Sequence, residues 1–141
     1  MTDDQTTPFH ATGIFASLAP EDVEGILQGG ETVSCPAGQA IFESGDQGDG
    51  MYVIIAGEAR VDVGGRFHIL KPGDFFGEMA LLSPGKRMAT VKAETDVEAL
   101  RIPAEGFRAF LYEHPKVAVS MMTQLVVRLR EVEQRIDAWM A

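Results

Sequence analysis

Cysteine is nearly missing from this 141-residue chain: Cys35 stands alone, so neither an internal disulfide nor a clustered thiolate metal site can be built. One unpaired thiol fits a reducing cytoplasm. Histidine is scarce as well. His10, His68 and His114 lie far apart, without a carboxylate or thiol at ligand spacing, and no metal site is expected. Basic charge is also in short supply. Twelve Lys plus Arg against twenty-one Asp plus Glu give a net charge of −9, which repels phosphate backbones, and no cluster of Lys and Arg marks a DNA-binding face. Long apolar runs are absent, so no segment is expected to span a bilayer. Met1–His10 is acidic and polar, the reverse of a signal peptide. The motifs of nucleophilic and metal catalysis are missing: there is no G-x-S-x-G, no H-E-x-x-H and no P-loop, and an enzyme is not expected.

What is present suits one domain. The chain is 45% hydrophobic, and its length can bury a core without staples. Twelve of the fifteen glycines fall between Gly29 and Gly85, and none follows Phe107. The chain therefore divides into a helical start, a turn-rich β block and a helical end, with residues 1–11 expected as a flexible tail and 12–141 as the domain. Pro20 opens a first helix, with Glu21 and Asp22 in its first turn and Val23, Ile26 and Leu27 on its apolar face. Gly29-Gly30 ends it.

In the β block, the clearest strands are Ala40–Glu43, Met51–Ala56, Glu58–Val63, Arg66–Leu70, Met88–Ala93 and Val97–Ile102. Ala59, Val61 and Val63 alternate with Glu58, Arg60 and Asp62, the period of a half-buried strand. Gly64-Gly65 reads as a two-residue hairpin turn. Six to eight short strands in about seventy residues point to a small barrel or sandwich.

Pro103 opens a further helix over Ala104–Tyr112, and His114-Pro115 breaks it. The last helix, Lys116–Met140, carries Ala118, Met122, Leu125, Leu129, Val132, Ile136 and Trp139 at alternating spacings of 4 and 3. That is an a/d seam over about three heptads, which suits a helix facing another helix. Self-association is expected through it, with Arg128 and Glu133 paired between chains. In the competing arrangement the helix packs only on its own β block, through Val119 and Val126.

One segment carries chemistry. Phe76-Gly77-Glu78-Met79-Ala80-Leu81-Leu82 sits between strands, and Arg87-Met88-Ala89-Thr90-Val91 follows. Gly77 permits a tight backbone approach, and the amides of the next turn can point at an anion. Arg87 can contact a phosphate through two parallel hydrogen bonds, and Glu78 can accept from a sugar hydroxyl. An ion pair between Arg87 and Glu78 that merely closes the loop is the plainer alternative. Cys35 is expected as a small apolar residue and Lys86 as solvent-facing.

These residues resemble the phosphate-binding cassette of the cyclic-nucleotide-binding domain family, shared by the catabolite activator family, protein kinase A regulatory subunits and nucleotide-gated channels. Upstream, Gly38–Asp46 and Met51–Gly57 resemble that family's turn-and-strand pattern. The resemblance implies a mainly β fold with flanking helices. Its core would be an eight-stranded β-roll, or double-stranded jelly-roll, with a long C-terminal helix over 116–140. It implies cAMP or cGMP as ligand. Glu78 would hold the ribose 2′-hydroxyl, Arg87 the cyclic phosphate, and the amides of Gly77, Met88 and Ala89 further oxygens, with Met79 and Ala80 in the same cassette. Met88 replaces the hydroxyl residue that many cGMP-preferring members carry there, so cAMP is favoured. Val132 and Glu133 replace the base-contacting hydroxyl residues of the catabolite activator family, and Trp139 is either a lid over the base or part of the helix seam.

The chain ends at Ala141, without the helix-turn-helix of the catabolite activators. The expectation is a cytoplasmic stand-alone sensor, dimeric through its last helix, read by a separate partner and contacting neither DNA nor membrane. The alternative is a non-binding scaffold that keeps the roll and dimerises.

Overall fold

Gly64 and Gly65 both take left-handed backbone, at φ +55° and +82°, and so reverse the chain between two neighbouring strands as a two-residue hairpin requires. That hairpin belongs to a computed structural model that describes residues 9–10 and 12–140. In chain order its strands are β1 (Glu31–Cys35), β2 (Ala40–Phe42), β3 (Gln47–Gly48), β4 (Gly50–Ala56) and β5 (Ala59–Val63), followed by β6 (Arg66–Leu70), β7 (Phe75–Phe76), β8 (Gly85–Lys86), β9 (Thr90–Ala93) and β10 (Val97–Pro103). Two antiparallel four-stranded sheets, ordered β1-β10-β4-β7 and β2-β9-β5-β6, form the expected eight-stranded roll. The β3–β8 pair is an additional ribbon of two residues a side.

Alternation along β4 and β10 divides the core. Ile54, Val97 and Ala99 point between the sheets, where they meet Ala59, Val61, Leu70, Phe76, Val91 and Ala93. Met51, Val53, Leu100 and Ile102 point outward to the helices, where they meet Ile14, Phe15, Ile26, Leu81, Phe107, Val117 and Met121. Period-2 patterning on strands buried on both faces accounts for the two clusters.

The helices are α1 (Pro20–Gln28), α2 (Met79–Leu82), α3 (Ala104–Glu113) and α4 (Pro115–Met140), preceded by a 3-10 turn at Gly13–Phe15. Pro20 stands in the first turn of α1, where its missing N–H leaves no acceptor wanting. The His114 amide donates to Phe110 and Leu111 as α3 ends, and Pro115 then starts α4 one residue earlier than expected. Val117 and Met121 root α4 in the core. Val119 and Val126 are exposed, which corrects their expected contact with the roll: the inward face of α4 is the one that carries 117 and 121. Met122, Leu125, Leu129, Val132 and Ile136 are exposed along the other face. Arg128 lies against the 3-10 turn, its Nη1 2.9 Å from where a Cβ on Gly13 would lie.

Within the expected tail, Phe9 packs on Phe15 and Phe75, with ring centroids 5.5 Å away in each case. The His10 amide donates to the Gly73 carbonyl at 2.8 Å. Packing therefore reaches back to Phe9; residues 1–8 lie outside the described residues. Among the described residues, no helix is long and apolar enough to cross a membrane.

Candidate functional site

The site is a return of the chain on itself. After β7, Gly77 adopts φ +78°, and a Cβ there would come within 2.6 Å of Arg87 Nη1. Only glycine allows both the turn and that approach. Glu78 precedes the single turn of α2, and Ser83–Lys86 leads back to Arg87. The Arg87 amide donates to the Asp46 carbonyl at 2.7 Å, and the Gly45 amide donates to the Arg87 carbonyl at 2.8 Å. These two bonds hold the cassette against the turn after β2. The result is a cavity of about 340 Å³ whose wall includes Gly77, Glu78, Met79, Ala80, Arg87, Met88 and Ala89, all seven cassette positions singled out in the sequence.

Arg87 is 9% exposed, the one buried charged side chain among the described residues. No carboxylate pairs with it there; the ion pairs are His10–Asp74, Arg60–Asp62 and those of Arg101 with Glu31 and Asp49. Its Nη2 donates to the Gly50 carbonyl at 2.8 Å and its Nη1 to the Gly77 carbonyl at 3.3 Å. Its Cζ lies 4.1 Å from the centroid of the Phe42 ring and 6.0 Å from that of Tyr52. Gly48 backs onto the guanidinium, where any side chain would collide with Nε. Nε itself is buried without a hydrogen-bond partner. Burial pushes the guanidinium below its ordinary pKa, against the opposing pull of Tyr52 and Asp49. A desolvated cation without a counter-ion is a site that favours an anion.

The remaining groups divide into those available and those already engaged. Glu78 is half-buried and makes no ion pair with Arg87, so the loop-closing alternative is not what the structure contains. Among the described residues, the amides of Gly77, Glu78, Met88 and Ala89 donate to no backbone carbonyl, whereas the Ala80 amide donates to Gly77 at 3.2 Å. Met79 and Met88 are exposed at 76% and 83%. Lys86 faces solvent. Cys35 is half-buried, its Sγ donates to the Gln39 carbonyl at 3.4 Å, and burial raises its thiol pKa.

Val132 and Glu133 are exposed on α4 and do not line the cavity. The helix is anchored near its start, and beyond Gln124 its described side chains are exposed. The side chain of Trp139 lies outside the described residues. Phe42, Gly48, Gly50 and Tyr52, which frame Arg87 and the cavity with Phe76 of the cassette, carry no site role in the sequence reading. The Gly48-Asp49-Gly50 run was the available signal. A larger opening of about 710 Å³ lies elsewhere, beside Asp49, Arg101 and Arg108. Its cations are already engaged: Arg101 with Asp49 at 2.7 Å, and Arg108 with the Leu82 carbonyl at 2.8 Å. Among the described residues there is no group of three or more potential metal ligands.

The family model of the cyclic nucleotide-binding domain matches residues 32–114. The chain is 35% identical over 130 residues to the cyclic AMP receptor protein of Thermus thermophilus, covering 88% of this chain and 60% of that protein. It is 39% identical over 101 residues to a cAMP-dependent protein kinase regulatory subunit of Aspergillus fumigatus, covering 70% of this chain and 24% of that subunit. Among solved structures, the N-terminal domain of a transcriptional regulator from Streptomyces coelicolor superposes with a TM-score of 0.80 at 26% identity, covering 93% of this chain and 95% of that one. The chain thus spans less than two thirds of the length of the receptor protein and about a quarter of that of the kinase subunit.

Proposed function

The chain belongs to the cyclic nucleotide-binding domain family, and from that premise we propose that it is a sensor that binds cAMP in preference to cGMP. The buried, unpaired Arg87 beside the 340 Å³ cavity carries this reading. Arg87 meets the exocyclic oxygens of the cyclic phosphate, the free amides of Gly77, Met88 and Ala89 add donors, and Glu78 accepts from the ribose 2′-hydroxyl. Met79 and Ala80 complete the cassette, and the base lies along the apolar wall that Val61 and Met79 line. The kinase subunit and receptor protein that this chain resembles are named for cAMP, and Met88 offers no hydroxyl to a guanine amino group. The protein acts by binding rather than by catalysis, in the cytoplasm.

The signal leaves through α4. Glu78 and Arg128 of α4 line a separate cavity together, with His10 and Asp74, so a sugar that engages Glu78 alters the surroundings of that helix. Val132, Glu133 and Trp139 are the α4 positions that meet the base when the helix closes over the cavity. A partner protein and a second copy of the chain read the helix.

Titration calorimetry with cAMP and cGMP tests the reading. The chain binds cAMP more tightly, and Arg87→Ala, with unchanged circular dichroism, loses about 2–5 kcal/mol of binding free energy, as for a charge-assisted pair in a desolvated site. No heat and no thermal shift at millimolar nucleotide rejects it in favour of a scaffold.

A further inference from the structure

Arg87 is held by more than hydrogen bonds. Phe42, Tyr52 and Phe76 form an aromatic cluster beside it: Tyr52 and Phe76 stack at 5.2 Å with planes 10° apart, and Phe42 lies 5.9 Å from Tyr52 and 5.7 Å from Phe76. Phe42 is the member nearest the charge, its ring centroid 4.1 Å from Cζ. Both terminal nitrogens are fixed by backbone carbonyls, while Nε has no partner. An aromatic face attracts a guanidinium electrostatically, more strongly where water is excluded. Here it compensates a cation that has lost its hydration and gained no counter-ion.

We infer that Phe42 is a positioning residue for the anion site, presetting the Arg87 guanidinium before any phosphate arrives. Without the ring, the side chain keeps two carbonyl bonds and only the more distant Tyr52 ring, 6.0 Å from Cζ, and more of it must be ordered at the moment of binding, which weakens affinity. Tyr52 and Phe76 brace the Phe42 ring in turn. The inference rests on the reading of Arg87 as the phosphate contact, but the ring–guanidinium pairing exists in the free protein and can be read there.

The test uses the full chain with Phe42→Leu and Phe42→Tyr. In the free protein, the Arg87 Nε–H resonance is displaced by the Phe42 ring current and protected from solvent exchange; Phe42→Leu removes the displacement and Phe42→Tyr keeps it. By calorimetry, Phe42→Leu weakens cAMP about tenfold, within the range of a desolvated cation–π contact, and Phe42→Tyr restores it to within about twofold. With a phosphorothioate analogue, whose sulfur replaces an exocyclic oxygen, Phe42→Leu narrows the preference for the natural phosphate. A ring that only walls the cavity weakens both ligands by one factor, and that result overturns the inference. So does an undisplaced Nε–H signal, unaltered cAMP binding in Phe42→Leu, or equal losses in the Leu and Tyr variants. If the signal is displaced but the unmodified chain binds no cyclic nucleotide, the sensor reading falls and takes the positioning role with it, leaving only the pairing.

Discussion

Met88 and Arg87 are neighbours with opposite environments, one 83% and the other 9% exposed. On the proposed reading, the buried arginine meets the phosphate and the exposed thioether the ligand's periphery. A thioether has no hydrogen to donate and accepts only weakly. Introducing a hydroxyl there, as Met88→Thr, adds a bond that guanine can use and adenine cannot. The variant should narrow the gap between cAMP and cGMP by roughly one hydrogen bond, about 0.5–1.5 kcal/mol, measured by paired titrations. Tighter cGMP binding by the unmodified chain counts against the idea. The arginine and the cassette glycine could be read from sequence because their chemistry is local: a turn, an anchored cation and a carboxylate within a dozen residues. Phe42, Tyr52, Gly48 and Gly50 could not. They reach Arg87 from β2, the β3–β8 ribbon and β4, and a phenylalanine that faces a guanidinium has the same one-dimensional pattern as one that faces a leucine.

At the level of elements, α3 joins the roll to α4. Phe107 is 1% exposed, and its ring meets Phe15 edge-on with centroids 6.5 Å apart. Phe107→Ala leaves a void shared by the 3-10 turn and the outer face of β10, and should cost about 3–5 kcal/mol. Thermal unfolding would read this as a fall on the order of 10 °C, with the roll strands still formed. A shift of a degree or two means that the helical layer rearranges to fill the space. The long elements were legible beforehand: α1, α3, α4, the Gly64-Gly65 hairpin and the strands beside it all have periodicity over several residues. β3, β7 and β8 have two residues each, too few for a period to exist. β1 is illegible in the sequence for another reason. It is an edge strand paired only with β10, and its burial is mostly exposed or partial, so the apolar alternation that marks a strand is faint.

For the whole molecule, the outward face of α4 carries a row of apolar side chains left uncovered among the described residues. Met122, Leu125, Leu129, Val132 and Ile136 are all exposed and recur at helical-seam spacing. A second copy of the same helix would cover such a seam. Leu129, 59% exposed near the middle of the seam, is the position to change: Leu129→Glu sets like charges face to face and should give a monomer with an intact roll in sedimentation at tens of micromolar. An unmodified chain that sediments as a monomer, with and without cAMP, assigns the seam to another protein. Sheet order has a separate consequence, for how the chain reaches this shape. β10 lies between β1 and β4, so one of the two central strands of the first sheet is the last strand to exist. On a ribosome, β4 emerges before its long partner β10, with only the two-residue β7 following soon after, and β1 waits longer still. Closure that depends on such distant pairings is slow, typically in the millisecond-to-second range. During that interval Met51, Val53 and Ile54 are open to any other unpaired edge, and β4 is where a crowded nascent chain is most exposed to aggregation.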